Sequence, residues 1–326
     1  MVRIGIMSFA HMHAYGYAAS LGQTGEATLA AVYDDDVNRG QEAAQQFNAP
    51  FEADIDAFLS SDLDAVIITS ENIKHRSMAE KAAAAGKWIL CEKPLATTVE
   101  DAAAIVEACR AADVGLGTAF PCRFASPLAV LRHQVAAGEF GAIYAASCTN
   151  NGQFPGGWFG DRDLAGGGAT MDHTVHVADL LRWMLDREFT KVYCENGHLH
   201  ERDTELDDVG CLHLEMEGGI IVSHIASWNR AKSYPTWGDV TIEFIGEKGV
   251  AFVDAFNQKI NVYNDSAMRG AWAGWGDNPD LGLVQEFVDS VRDRRALSVT
   301  GVDGLKATEV TVAAYESMAS GKTITL

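Results

Sequence analysis

The chain has 326 residues, more than a single hydrophobic core usually serves, so two domains are expected. Hydrophobic residues make up 48% of the sequence and charged residues 21%, the balance of a folded rather than a disordered protein. The formal net charge of −20, without any basic run, argues against nucleic acid and anionic membranes as partners, because both bind to clustered lysines and arginines.

Six cysteines are scattered along the chain without a CxxC pair or a zinc-ligand spacing. This distribution is typical of reduced, buried thiols and predicts a cytoplasmic protein. The N-terminus begins with a strand pattern over residues 2–7 rather than with the apolar region of a signal peptide. No apolar run approaches the ~18–20 residues of a membrane helix, so no membrane span is expected.

Strand and helix patterns alternate through the first part of the chain. Strands are predicted at 2–7, 28–33, 65–69, 87–91 and 114–117, with helices between them at 13–22, 37–47, 54–59, 75–85 and 98–111. Strands that alternate with helices of this length indicate βαβ units and a parallel sheet. The pattern is that of a dinucleotide-binding domain of the Rossmann class.

The turn after the first strand departs from the Gly-x-Gly-x-x-Gly fingerprint of that class. With the strand aligned conventionally, Ser8, Ala10 and His13 replace the three glycines. The second glycine normally admits the pyrophosphate and the third lets the helix pack on the strand, so the bulky His13 must push the helix away or turn its ring out. The helix N-terminus still offers N–H groups and a positive dipole end, so we expect phosphate binding to be weakened but not abolished.

Asp34, Asp35 and Asp36 follow the second strand. A carboxylate at Asp34 can hydrogen-bond an adenosine ribose, and three aspartates repel a 2′-phosphate, which favours NAD over NADP. The same triplet equally suits a helix N-cap with acids in the first turn. His11 and His13 form a His-x-His pair, but no third ligand lies nearby in the sequence, so no metal is predicted.

The alternation ends near residue 123, and a different pattern follows. Strands are predicted at 142–150, 191–196, 209–216, 220–227, 240–245, 249–254, 259–263 and 323–326, and helices at 127–137, 169–185, 281–292 and 303–319. Consecutive strands joined by short turns predict an open, mainly antiparallel sheet. The expected organisation is α/β, with a Rossmann domain at 1–121 and a second domain at 122–326.

Glu92, Lys93 and Pro94 follow a buried strand, at the sheet edge where open α/β folds bind ligands. A lysine at such a position can have a lowered pKa and transfer protons, although a Lys-Pro turn with a solvated lysine is the alternative.

A second polar cluster lies in the helix predicted at 169–185. Asp172 and His176 are four residues apart and share a helix face, with Asp179 nearby, so the carboxylate can orient the imidazole. An exposed ion pair on a capped helix is the alternative, and a metal site of Asp172, His173 and His176 is a weaker one.

Five motifs together resemble the glucose–fructose oxidoreductase and inositol dehydrogenase (Gfo/Idh/MocA-like) family. In chain order they are 64–69 with His75, Glu92-Lys93-Pro94, Gly166-Gly167-Gly168 leading to Asp172 and His176, 245–249, and 303–305 running to Gly321-Lys322. The resemblance implies an NAD(P)-binding Rossmann domain and a C-terminal α/β domain whose open sheet supports a homodimer or homotetramer. Thr174 stands where the family commonly has a glycine.

The resemblance also implies particular residue roles. Lys93, Asp172 and His176 would be catalytic. The cofactor is expected against Ser8, Phe9, Ala10, His11, Asp34, Thr69, His75, Glu92 and Lys93. The substrate is expected against Arg123, Trp158, Phe159 and His173, because aromatic faces suit the apolar faces of sugars, although plain packing explains Trp158 equally well. The bond between Lys93 and Pro94 is often cis in the family.

The sequence therefore predicts an NAD-dependent oxidoreductase that transfers a hydride between a secondary hydroxyl of a sugar, cyclitol or polyol and nicotinamide. Two alternatives stay open. One is a redox-neutral lyase or hydrolase with tightly held NAD. The other is a non-catalytic ligand sensor with a degenerate cofactor site, which the lost glycines motivate. Retention of Lys93, Asp172 and His176 favours the dehydrogenase, because a sensor needs none of their proton chemistry.

Overall fold

A computed structural model of the chain describes residues 1–199, 204–234, 236–266, 268–274 and 276–326. The chain forms two compact units. The first comprises 1–121, 163–166 and 279–308, and the second comprises 122–162, 167–278 and 309–326. Each unit thus draws on several chain segments, whereas two continuous domains, 1–121 and 122–326, were expected.

The first unit contains a parallel sheet in the strand order of a Rossmann domain. Its strands are β1 (Val2–Met7), β2 (Ala27–Tyr33), β3 (Phe51–Glu52), β4 (Ala65–Ile68), β5 (Trp88–Cys91) and β6 (Leu116–Thr118). They lie in the order β3-β2-β1-β4-β5-β6, and all neighbouring pairs are parallel. Strands β4 and β5 are buried throughout, as expected for a sheet covered on both faces. The predicted Rossmann class is confirmed.

Helices flank this sheet. They are α1 (His13–Thr24), α2 (Val37–Phe47), α3 (Ile55–Ser60), α4 (His75–Ala84), α5 (Val99–Ala111) and, from late in the chain, α9 (Pro279–Asp293). The side chains of Asp36, Asp54 and Thr98 accept hydrogen bonds from the first turns of α2, α3 and α5. Helix α9 packs against α1, which explains why a late segment belongs to the first unit.

The second unit contains a mixed sheet. Its strands are β7 (Ile143–Asn151), β8 (Phe189–Gly197), β9 (Val209–Met216), β10 (Ile220–Ser227), β11 (Asp239–Gly246), β12 (Gly249–Asp254) and β15 (Ile324–Thr325), in the order β12-β11-β7-β10-β9-β8-β15. The β7–β10 pair is parallel and the five other pairs are antiparallel. The sheet is therefore mainly antiparallel, as the sequence predicted. A separate hairpin pairs β13 (Lys259–Asn264) with β14 (Arg269–Gly274), a strand that the sequence pattern did not indicate.

The other α-helices of the described residues are α6 (Ser126–Ala136), α7 (Arg162–Ala165), α8 (Ala169–Leu185) and α10 (Gly301–Ser320). Helix α8 packs on one face of the mixed sheet, against β7, β9 and β10, and nearly all of its side chains are buried. It carries the predicted acid and base. Within the described residues, no helix combines the length and the apolarity needed to cross a membrane.

Candidate active site

The carboxyl edge of the parallel sheet gathers the predicted cofactor residues of the first unit, because parallel strands end at the same edge. The turn after β1 is fastened to the end of β4: the N–H of His11 donates to the carbonyl of Thr69 (3.0 Å), and the Thr69 hydroxyl donates to the carbonyl of Ser8 (2.6 Å). Ser8 has a φ of 76°, in the left-handed region that favours glycine. Ser8 therefore keeps the backbone shape of the first fingerprint glycine.

Asp34 is fully buried at the end of β2, and both of its carboxylate oxygens accept hydrogen bonds. Oδ2 accepts from the N–H of Phe9 (2.7 Å) and from Nε of Arg39 (2.9 Å). Oδ1 accepts from Nη2 of Arg39 (2.6 Å) and from the N–H of Asp36 (3.0 Å). Asp34 thus holds the turn after β1 in place. A ribose hydroxyl that binds Asp34 would have to share a carboxylate oxygen with one of these donors or displace that donor.

The other two aspartates have separate partners. Asp36 caps α2, accepting from the N–H groups of Asn38 (3.0 Å) and Arg39 (3.2 Å), which confirms the predicted N-cap. The predicted acids in the first turn were wrong, because Asp34 and Asp35 precede the helix. Asp35 contacts Nζ of Lys74 (2.5 Å) and Nη2 of Arg39 (3.2 Å). The triplet is therefore partly neutralised by two cations.

His13 turns its ring towards the end of β5. Nδ1 of His13 lies 2.9 Å from Oε1 of Glu92, and the Tyr17 hydroxyl donates to the same oxygen (2.5 Å). Oε2 of Glu92 accepts from the N–H of Lys93 (3.0 Å). At the position of the third fingerprint glycine, His13 thus joins α1 to the end of β5 through a polar contact. A glycine there would instead allow the backbones of helix and strand to pack closely.

The surroundings of the His13–Glu92 pair favour its charged form. Burial alone lowers the pKa of His13, but the charge and hydrogen bond of Glu92 outweigh it, so the pKa is raised. Burial also opposes ionisation of Glu92, but the positive charges of His11 and His13 hold its pKa well below the usual range.

The turn after β5 is fixed by His75. The peptide bond between Lys93 and Pro94 is cis. The ring of His75 is fully buried, with Nδ1 3.0 Å from the carbonyl oxygen of Pro94 and Nε2 3.3 Å from that of Ser70. Burial lowers the pKa of His75. His75 therefore acts on the site by holding the turn that carries the buried Lys93.

The donor atoms of His11, His13 and Glu92 all lie within 4.8 Å of one another. The fold thus supplies the third potential metal ligand that the sequence did not show. Oε1 of Glu92 already accepts a hydrogen bond from Tyr17 and lies against His13. Glu92 is therefore already engaged by two side chains, and the absence of a metal stays a prediction.

The groups at this edge fit a nicotinamide dinucleotide. Met12, the N-cap residue of α1, makes no side-chain capping hydrogen bond, so it does not block the helix N-terminus against a pyrophosphate. Carboxylates end β2 and β5, where they suit ribose hydroxyls, and Lys93 follows at β5. Bound here, the cofactor would lie against residues 8–11, Asp34, Glu92 and Lys93.

In the second unit, the N-terminus of α8 is capped by residues distant in sequence. The N–H of Thr170 donates to Oδ2 of Asp207 (2.8 Å), and the N–H of Ala169 donates to the main-chain oxygen of Asp207 (2.9 Å). The Tyr315 hydroxyl accepts from the N–H of Gly168 (2.7 Å) and donates to Oδ1 of Asp207 (2.6 Å). A Cβ at Gly168 would collide with the main-chain oxygen of Asp207, which explains the glycine.

Asp172 is held by a tryptophan that the sequence analysis missed. Nε1 of the buried Trp228 donates to Oδ2 of Asp172 (2.9 Å). Nε2 of His173 lies 3.3 Å from the same oxygen. Nδ1 of His173 donates to the carbonyl of Asn150 (2.9 Å), because a carbonyl oxygen can only accept. His173, predicted to contact substrate, thus links Asp172 to strand β7.

His176 is buried on α8 and its Nδ1 lies 4.0 Å from Sγ of Cys122. Arg123, predicted to contact substrate, forms a buried bidentate pair with Asp179: Nε to Oδ2 is 2.8 Å and Nη2 to Oδ1 is 2.5 Å. Asp179 was expected near the face of His176, and the structure shows it paired with Arg123.

Aromatic residues surround the start of α8. Trp158 and Phe159 stack with ring centroids 3.9 Å apart, and Phe159 packs in a buried cluster with Trp228 and Ala169. Phe154 joins the cluster, with its ring 5.3 Å from that of Trp228. Trp228 directly follows β10, and this strand-end position was the one sequence signal that could have found it.

Comparison with known proteins identifies the family of both units. Residues 2–120 match the model of the oxidoreductase family with an NAD-binding Rossmann fold, and residues 128–252 match the GFO/IDH/MocA C-terminal domain. The chain is 30% identical over 308 residues to inositol 2-dehydrogenase 3 of Saccharopolyspora erythraea, a match covering 91% of this chain and 87% of the relative. It is 43% identical over 128 residues to 1,5-anhydro-D-fructose reductase of Ensifer adhaerens, which covers 38% of each chain.

Among solved structures, GenD2 from gentamicin A biosynthesis, in complex with NAD, superposes with a TM-score of 0.90 at 24% identity, covering 100% of this chain and 96% of that one. The strand order and the family match define an oxidoreductase with an NAD-binding Rossmann unit. The chain belongs to the GFO/IDH/MocA family.

Proposed function

We propose that the protein is an NAD-dependent dehydrogenase that oxidises a secondary hydroxyl of a sugar, cyclitol or related polyol. The observation that carries this proposal is the buried pair on α8, Asp172 and His176, since burying an acid and a base on one helix suits proton transfer better than ligand sensing. The names of the relatives, an inositol dehydrogenase and an anhydrofructose reductase, support this substrate class.

In the proposed reaction His176 takes the hydroxyl proton. Its Nδ1 lies beside Cys122, so Nε2 is the nitrogen that would face the substrate. Asp172, held by Trp228, would orient the substrate and stabilise the imidazolium. Lys93 would hydrogen-bond the reacting oxygen. Nicotinamide, when bound, supplies the hydride-accepting chemistry, so the alcohol loses a proton to His176 and a hydride to the cofactor.

We also infer that NAD is preferred over NADP. The residues beside the end of β2 include three carboxylates, Asp34, Asp35 and Glu71, and two cations, Arg39 and Lys74, joined in one ion-pair network. Three negative and two positive charges leave a net charge of −1, which disfavours a 2′-phosphate. All six cysteines are free, which supports a cytoplasmic location.

The first test is thermal unfolding with NAD, NADH, NADP and NADPH, followed by a polyol screen that measures NADH formation. Saturation about a hundredfold above Kd adds ~2.7 kcal/mol, so NAD(H) should raise Tm by a few degrees. His176→Ala should lower kcat about 10²- to 10⁴-fold and keep the NAD-dependent shift in Tm. The control is His133→Ala, an exposed histidine on α6.

Each contrary outcome identifies an alternative. Wild-type turnover in His176→Ala would refute the role of His176. Substrate consumption without net NADH would indicate the redox-neutral lyase or hydrolase. If no dinucleotide changes Tm and the denatured protein releases no cofactor, the protein is a non-catalytic sensor.

A further inference from the structure

The interface between α8 and the mixed sheet buries polar atoms that the proposed reaction does not use. Within the described part of the chain, Oγ1 of Thr170, Oγ1 of Thr174 and both ring nitrogens of His224 make no hydrogen bond. The three residues are at most 1% exposed. Buried polar atoms in native proteins are almost always hydrogen-bonded, so each of these four atoms requires a partner.

The strand register places these side chains in two neighbouring layers of the interface. Thr170 lies over Gly210 of β9, where an added Cβ would collide with its hydroxyl. Gly210 pairs with Ala226 of β10, and His224 is two residues away from Ala226 on the same face of the strand. Thr174 is one turn beyond Thr170 on the same face of α8.

Thr174 and His224 belong to the same layer. Both lie about 6 Å beyond the layer of Thr170, one measured along the helix and the other along the strand. Both steps lead away from Asp207, which caps the start of α8 and lies two residues before β9. The ring of His224 also interacts electrostatically with His173, the neighbour of Thr174, which places the ring beside this turn of the helix.

The strands on either side of His224 explain why its ring needs another partner. The cross-strand neighbours are Leu212 on β9, which is apolar, and Cys148 on β7, whose thiol is a weak hydrogen-bonding group. Burial lowers the pKa of His224 to about 3 and outweighs the opposing influence of the Cys148 carbonyl, so the ring is neutral. One nitrogen of a neutral imidazole donates and the other accepts.

We propose that Thr174 and His224 form an internal water-binding site between α8 and the mixed sheet. Water fits because a hydroxyl and a neutral imidazole together need a partner that both donates and accepts. Neither group carries the charge that would attract an anion, and one imidazole with a hydroxyl falls short of the ligand set of a metal. Buried waters usually make about three hydrogen bonds, and the Thr170 hydroxyl supplies the third group.

The site would support α8 from behind. Asp172 and His176 follow Thr170 and Thr174 by two residues each, which puts them on the opposite face of the helix. The site also belongs to this chain in particular, because a glycine at position 174, the residue common in the family, has no hydroxyl. The inference is independent of the proposed function, since it concerns the face of α8 that packs on the sheet.

The test uses Thr174→Val, which keeps the shape of the side chain and removes the hydroxyl. If water binds Thr174, the variant loses a hydrogen bond, and its folding equilibrium constant in urea denaturation should fall about tenfold. If Thr174 has no partner, valine replaces an unsatisfied hydroxyl, and the constant should rise instead. The control is Thr308→Val on α10, where the hydroxyl donates to the carbonyl of Gly304 (2.9 Å) and its loss should have little effect.

A high-resolution crystal structure of the wild type gives a second readout that does not depend on folding of the variant. It should show a water oxygen about 2.7–3.2 Å from Oγ1 of Thr174 and from a ring nitrogen of His224. Thr174→Ser should keep this water and Thr174→Val should lose it. A wild-type structure without the water, an ion in its place, or a higher folding constant in Thr174→Val would overturn the inference.

Discussion

Individual side-chain contacts in the second unit position its predicted acid and base. Asp172 receives the indole N–H of Trp228, and His176 lies against the thiol of Cys122. A donor to a carboxylate favours its ionised form, whereas a thiol is only a weak hydrogen-bonding partner for an imidazole. Trp228 is therefore a positioning residue with a measurable electrostatic effect.

Trp228→Phe keeps a buried aromatic ring and removes the donor to Asp172. Loss of a hydrogen bond to a charged group costs about 1.5–3 kcal/mol, so kcat should fall about 10- to 100-fold, with a smaller change in KM. The acidic limb of the pH profile should move to higher pH, because Asp172 is then protonated more easily. Steady-state kinetics from pH 5 to 9 measures both effects.

The matched control is Trp88→Phe, since the buried indole N–H of Trp88 meets no acceptor among the described residues. That variant should keep the wild-type profile. If Trp228→Phe loses activity without any movement of the acidic limb, Trp228 contributes only packing.

Helix α8 carries the predicted acid, Asp172, and base, His176, and its N-terminus is capped by residues outside the helix. Gly166, Gly167 and Gly168 lead into it without a side-chain cap of their own, and Asp207 and Tyr315 supply the hydrogen bonds instead. The capping tyrosine is 147 residues away from Gly168 in sequence. The orientation of α8 therefore depends on α10.

Tyr315→Phe should destabilise the protein because it leaves the N–H of Gly168 and one oxygen of Asp207 without the hydroxyl. An unsatisfied buried group costs about 1–3 kcal/mol, so chemical denaturation should show a loss of this size. Catalysis should fall as α8 loosens. Tyr193→Phe, whose hydroxyl meets Glu195 in an exposed contact, should stay within about 0.5 kcal/mol of wild type. Equal stability of both variants would refute the cap.

Local patterns predict the elements well, and distant partners poorly. The strand and helix order, the Asp36 cap and the hairpin turn at 217–219 follow from periodicity and turn chemistry, which involve neighbouring residues. The residue types of the site, Lys93, Asp172 and His176, were equally visible. The residues that support them were not visible, because Trp228 reaches Asp172, Tyr17 reaches Glu92 and Asp207 caps α8 through long-range packing.

Two departures have a physical cause. Ser8 accepts a left-handed backbone that glycine usually fills, so the missing glycine did not mean a missing turn. Arg123 has a buried partner that the sequence did not show, because a buried guanidinium needs a buried carboxylate, and Asp179 provides it; its contact with substrate stays a prediction.

At the scale of the whole molecule, the mixed sheet has one face that α8 does not cover. Ile221 and Ile245 both pair with Ala145, and Ile245 pairs with Val250, so their side chains share a face. Five apolar side chains on this face are exposed: Ile221 62%, Ile225 44%, Ile245 46%, Val250 59% and Phe252 67%. Contiguous apolar patches of this kind mark interaction surfaces.

We predict that this face joins two copies of the chain, as the homodimer or homotetramer expected from the family resemblance requires. Phe252→Glu places a charge on the most exposed of the five side chains, and desolvating it against a second apolar face is strongly unfavourable. Light scattering after size exclusion at micromolar concentration should give a multimeric mass for the wild type and a reduced mass for Phe252→Glu.

Val302→Glu is the matched control, because Val302 is 49% exposed on α10, outside the mixed sheet, and should leave the mass unchanged. A wild-type mass near 35.1 kDa would show that the chain is monomeric and that the exposed face binds something else. An unchanged multimeric mass in Phe252→Glu would place the interface elsewhere. A stable dimer buries about 1,200–2,000 Å² in total, so a charge buried against the apolar face of the second copy should weaken the association enough to lower the mass.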